Sequence, residues 1–163
     1  MIRKKEPSGD NLSEPFESYD MSGTSTSSPY NRYLRIEDIK YVTGLRDVKQ
    51  VEFHPAEFLG GDLNFVNELG GKILCVAFFR ASLYNTYWAA VPKSLKTRVN
   101  DVGDDAFFVL DLNGREPFML VFRMGNHAVS LTTATTKEAK RNLLTVDELI
   151  TIGNIIASRL EER

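Results

Sequence analysis

The chain has 163 residues with 20 Lys and Arg against 22 Asp and Glu, a formal charge of −2 and a pI near 5.7. A domain takes roughly 100 to 200 residues, so this length suits one domain with a tail. The balanced charge and the lack of a dense Lys/Arg stripe leave no electrostatic footprint for a phosphate backbone, so a nucleic-acid partner is not expected. The longest apolar runs, Ile73 to Phe79 and Phe118 to Phe122, are far shorter than the roughly 20 residues that span a bilayer as a helix.

Residues 1–30 hold seven serines, three prolines and five acidic groups, too little apolar surface to offset the entropy of ordering. Residues 1–32 therefore read as a disordered polar tail and 33–163 as a single domain. Met1 to Lys5 has the positive start of a signal peptide, but Glu6 to Asp20 is acidic where an apolar stretch would follow. A cytoplasmic location is the default expectation, and an extracytoplasmic one if an upstream leader is missing. Cys75 is the single cysteine, which excludes an intrachain disulfide and is compatible with a reducing compartment.

In chain order, Ile36, Ile39 and Val42 recur at helical spacing, and Gly44 suits a left-handed cap that ends a short helix. Val48 to His54 alternates as a half-buried strand closed by Pro55. Leu63 to Asn67 and Lys72 to Phe79 form a hairpin across Gly70-Gly71, and the second strand is apolar on both faces and belongs inside the sheet. Ser82 to Val91 reads as a helix with Ser82 as its N-cap and Leu83, Tyr87, Trp88 and Val91 as an apolar stripe. Ala106 to Leu112, Phe118 to Met124 and His127 to Thr133 make a meander with turns at Asn113-Gly114 and Gly125-Asn126. Thr145 to Glu148 is a capping box that starts a last helix, whose inner face carries Leu149, Ile152, Ile156 and Leu160. Gly153 lies in that stripe and reads as a close-packing residue. Short connections imply antiparallel pairing, so the expected fold is α+β: a twisted antiparallel sheet of five or six strands with an N-terminal, a middle and a C-terminal helix.

The segments Val102-Gly103-Asp104-Asp105-Ala106-Phe107-Phe108, Leu120 to Val129 with its Arg123-Met124-Gly125-Asn126 turn, and Ile156 to Leu160 resemble those of small bacterial lipoprotein-like or periplasmic domains with the PsbP-like fold. There a Gly-Asp turn opens a strand, a strand and tight turn follow, and a last helix crosses the sheet. The resemblance covers about the last 60 residues and implies a non-catalytic binding or assembly role, with no catalytic residues to carry over.

Three functions follow from the residues themselves. The first is a binding module. Tyr84 and Trp88 are four residues apart on the middle helix, and the basic run of Lys93, Lys96 and Arg98 that follows at once reads first as a solvated loop and, beside Trp88, suits an acidic partner. The two rings read equally as core edge or as binding surface, and the partner is a protein or a small ligand. The second is a small hydrolase or metal-dependent enzyme using His127 with Asp104 or Asp105, with His54 and Glu57 as further ligand types. Gly103-Asp104-Asp105 also reads as a tight turn. The third is a structural subunit whose exposed strand edge pairs with a partner. Cys75, flanked by Leu74 and Val76, reads as an inert core thiol. The chain contains no Gly-x-Ser-x-Gly elbow, P-loop or Gly-x-Gly-x-x-Gly sequence, so no cofactor is called for.

Overall fold

The computed structural model describes residues 28–51, 61–111, 116–133, 135–136, 141–142 and 144–162. The expected tail before residue 28, His54, Pro55, Glu57 and the Asn113-Gly114 turn lie outside the described residues. The protein is α+β. Strands β1 (Lys49–Val51), β2 (Leu63–Val66), β3 (Lys72–Arg80), β4 (Lys96–Val99), β5 (Asp105–Leu110), β6 (Pro117–Met124) and β7 (His127–Thr133) form one open sheet in the order β1-β2-β3-β7-β6-β5-β4. All its neighbours run antiparallel. A two-stranded pair, β8 (Thr135–Thr136) and β9 (Arg141–Asn142), stands apart. The helices are α1 (Ile36–Thr43), α2 (Tyr84–Ala90) and α3 (Val146–Glu161).

The sheet consists of two meanders, β1 to β3 and β4 to β7, joined where β3 pairs with β7 from Leu74↔Thr133 to Arg80↔His127. That pairing makes β3 an interior strand, as its two-sided apolar pattern requires. The Thr133 hydroxyl strengthens the join, donating to the Ile73 carbonyl at 3.2 Å and accepting from the Leu144 N–H at 3.1 Å.

Strand alternation sends side chains to two faces. On one face Phe65, Leu74, Val76, Phe108, Leu120, Phe122, Val129 and Leu131 pack under α1 and α3, whose Leu149, Ile152, Ile156 and Leu160 complete the larger core. On the other, Phe107, Val109, Val121 and Ala128 pack under α2 with Tyr84 in a smaller second core. α3 begins at the capping box the sequence announces: the Thr145 hydroxyl accepts from the Glu148 N–H at 3.1 Å, and Glu148 accepts from the Thr145 N–H at 2.9 Å. Gly153 lets α3 sit close on the sheet, because a Cβ there would stand 3.0 Å from Leu120 Cδ2 and 3.1 Å from Val102 Cγ1.

Two expectations need correction. The main sheet has seven strands, more than the five or six expected, and the added one is β4. Its Lys96 and Arg98 alternate with Thr97 and Val99, so what reads as a solvated basic loop is an edge strand bearing cations. The middle helix is preceded by a 3-10 turn over Ala81–Leu83, so Ser82 lies within that turn and α2 has no side-chain cap. The stripe it buries contains Tyr84, 1 % exposed, while Leu83 is 47 % exposed. Ahead of α1, a 3-10 turn over Pro29–Arg32 packs on the sheet, its Tyr30 ring stacked on Phe78 with centroids 4.4 Å apart.

α1 and α3 are clasped by one ion pair. Arg159 donates to Asp38 twice, Nη1 to Oδ2 at 2.7 Å and Nη2 to Oδ1 at 3.0 Å, and Nη1 also donates to the Tyr33 carbonyl at 3.2 Å. Burial alone would raise the Asp38 pKa, but the bonds from Arg159 and from the Arg35 N–H outweigh it and hold the carboxyl below its ordinary 3.8. The folded state therefore binds fewer protons. This contribution to stability is complete above the ordinary value and fades as pH falls through the lowered folded one. Asp38→Asn should cost about 1–3 kcal/mol at pH 7 in urea unfolding, and the gap to the native protein should close toward about pH 2. An equal gap at both pH values would remove the ion pair from this role. Gly153→Val should cost about 2 kcal/mol by forcing α3 off the sheet; an unchanged urea midpoint would mean that Leu120 and Val102 yield freely.

Candidate functional site

The residues proposed for binding are positioned by α2 and the β4 edge. The Ala81 N–H donates to the Asn126 carbonyl at 3.1 Å, which pins the entry to α2 against the β6–β7 turn. The helix ends at Val91, whose extended backbone is the conformation favoured before a proline, here Pro92. A second 3-10 turn, Lys93–Leu95, then leads into β4. In the register Lys96↔Val109 and Arg98↔Phe107, both cations share the face of Phe107 and Val109, which is the face α2 covers.

There the side chains converge on Trp88. Lys96 Nζ stands 3.9 Å and Arg98 Cζ 4.2 Å from the centre of its ring, and the Phe107 ring meets it edge-on at 5.0 Å. Lys96 Nζ also donates to the Trp88 carbonyl at 2.6 Å. The same carbonyl accepts the Val91 N–H at 3.3 Å, so Lys96 is its second donor and sets a cation against the negative end of the helix dipole. Arg98 donates to Asp105 Oδ1 at 3.0 Å, and Asp105 in turn lies opposite Arg123 in the β5–β6 register. Trp88 is partly exposed, Arg98 is exposed, and Lys93 stands exposed on the turn. The arrangement is an aromatic plate held from below by Phe107 and flanked by two cations, able to receive carboxylates or other anions at its rim.

Of the five residues, Trp88, Lys96 and Arg98 are brought together, Lys93 is exposed on the turn that leads into β4, and Tyr84 is a floor residue. Its ring meets Phe107 edge-on at 5.4 Å, and its buried hydroxyl lies near the Asp105 carboxylate without a well-formed hydrogen bond to it or to any other described residue. Burial first, and then the Asp105 carboxylate, push its pKa up to about 12. Phe107 and Asp105 also belong to this site, although neither is among its five sequence-predicted residues. The signal available for both was the alternation of Lys96-Thr97-Arg98-Val99, which marks a strand and so implies cross-strand partners.

The catalytic alternative meets a different arrangement. Asp104 Oδ2 accepts the Gly125 N–H at 2.9 Å and faces Arg123 Nη1 at 3.7 Å, so it ties the turn before β5 to the β6–β7 turn. Gly103, at φ 58°, permits that approach, since a Cβ would fall 2.5 Å from the Arg123 carbonyl oxygen. His127 shares the parity of Val129 and Leu131 in β7, while Asp105 shares that of Phe107, so the register sets these two on opposite faces. Among the described residues no group of three or more His, Cys, Asp or Glu is placed to hold a metal ion. Cys75 is partly buried and its thiol pKa is raised, by burial first. No helix among the described residues is long and apolar enough to cross a membrane.

Tyr84→Phe should raise stability by about 1 kcal/mol, because it deletes a buried hydroxyl without a well-formed hydrogen bond and keeps the ring against Phe107. Tyr84→Ala should cost about 3–5 kcal/mol through the cavity it opens. Urea unfolding of the two variants measures both, and a destabilised Tyr84→Phe would show that the hydroxyl does find a partner in solution.

Compared with protein-family models, with curated proteins and with solved structures, the chain finds no match. The site therefore rests on its own geometry.

Proposed function

We propose that the protein is a non-catalytic binding or assembly module of PsbP-like architecture, which docks an acidic partner, a protein or a small ligand, on the face built by Trp88, Lys96 and Arg98, with Lys93 at its rim. The observation that carries this reading is the pair of cations held at 3.9 and 4.2 Å from one tryptophan ring at the open end of the sheet. Aromatic rings and Arg beside one another are the side chains that dominate interface energetics. The PsbP-like part is supported by placement: Gly103 to Asp105 is a turn opening β5, Gly125-Asn126 turns β6 into β7, and α3 packs across the sheet, the layout that the resemblance implies. The non-catalytic part is supported by the work the two aspartates already do, Asp104 on the Gly125 amide and Asp105 on Arg98.

Lys96→Gln/Arg98→Gln and Trp88→Ala should each leave the thermal unfolding cooperative. Each should weaken capture of the partner from extract of the native cell by about tenfold or more, the equivalent of about 1.4 kcal/mol. Capture that is equally strong with all three proteins would move the interface elsewhere.

A further inference from the structure

The face of Trp88 is continuous with an open sheet edge, and the two together specify what kind of partner fits. β4 is the last strand of its sheet and, among the described residues, is hydrogen-bonded to β5 alone. Its other side offers backbone donors and acceptors to an added strand. Lys96 and Arg98 are two residues apart on one face, a rise of roughly 7 Å, which is the repeat of same-side side chains in an extended peptide. Arg98 is answered by Asp105, while the Lys96 ammonium is bonded to the neutral Trp88 carbonyl and Lys93 is exposed, so this corner presents net positive charge. A second copy of the chain does not suit this edge. Antiparallel pairing of two β4 strands would bring the Lys96 and Arg98 pair of one copy against that of the other, and like charges across a ladder repel.

We propose that β4 takes an acidic, extended segment of a partner protein as an eighth strand, with carboxylates two residues apart lying over Lys96 and Arg98 beside the Trp88 ring. This rests on the binding-module reading and names the partner's chemistry. Main-chain bonds supply the pairing, and the cations select the sequence.

The full chain, with Trp88 as its single tryptophan, reports on this directly. The probes are a capped Thr-Glu-Val-Glu-Val-Glu-Thr peptide, its Lys-for-Glu counterpart, and a Glu version N-methylated at alternate residues. The Glu peptide should change Trp88 emission and slow amide exchange over Thr97 to Val99 by at least about tenfold. Its affinity should fall about fivefold or more in Lys96→Gln/Arg98→Gln and should drop with added salt. The Lys peptide and the N-methylated peptide should not bind. Equal binding by the N-methylated peptide without amide protection would overturn strand addition while leaving an anion-binding face. Failure of every peptide would also overturn strand addition; partner capture that still depended on Lys96 and Arg98 would then keep the docking reading, and capture indifferent to them would sink both.

Discussion

The edge-on contact of Phe107 with both Tyr84 and Trp88 is the interaction on which the second face of the molecule depends. Phe107 is fully buried, stands opposite Arg98 in the ladder, and carries α2 on its ring. One residue on, Phe108 points the other way into the core beneath α3. A single strand, β5, thus supplies a floor to each side of the sheet, and the candidate site inherits its geometry from it. Phe107 meets the Trp88 ring edge-on at an interplanar angle of 79°, from the strand that pairs with the one bearing Lys96 and Arg98.

The two cores divide the labour of the fold. The larger one, under α1 and α3, contains most of the buried large side chains and is closed at its rim by Asp38 and Arg159. The smaller one is built from one face of β5, β6 and β7 with a helix of only seven residues over it. So short a helix draws little stability from its own backbone bonds and owes its position to the rings it buries. The candidate site residues carried by such an element can be altered with less risk to the main core, which suits the proposed role of this face in docking a partner.

Much of the architecture was legible in the chain because the governing patterns are local. β3 is apolar on both faces and proved interior; Gly44 caps α1 at φ 75°; Thr145 and Glu148 form the capping box; Gly153 packs against Leu120 and Val102. What stayed hidden depends on tertiary context. β4 is an edge strand whose outward positions are free to be charged, so its composition imitates a loop. On α2 the spacing of Leu83 and Tyr87 was as good a stripe as that of Tyr84 and Trp88, and the choice was made by the 3-10 turn at Ala81–Leu83, which rotates Leu83 to solvent. The Asp38–Arg159 clasp joins residues 121 positions apart, and no local pattern announces it. At the candidate site the aromatic and basic residues were visible in sequence, whereas their convergence on one ring, and the parts played by Phe107 and Asp105, needed the register of β4 on β5.

Phe107 packs in the smaller core under the candidate site and lies outside the larger one. Phe107→Leu tests this arrangement most directly, with Trp88 emission and partner capture followed alongside urea unfolding. The expected result is a cooperative transition lowered by about 1–2 kcal/mol, a red shift of Trp88 emission as its ring loses its support, and weakened capture. A variant whose Trp88 emission and capture match the native protein would contradict the account, and so would one that loses its fold altogether.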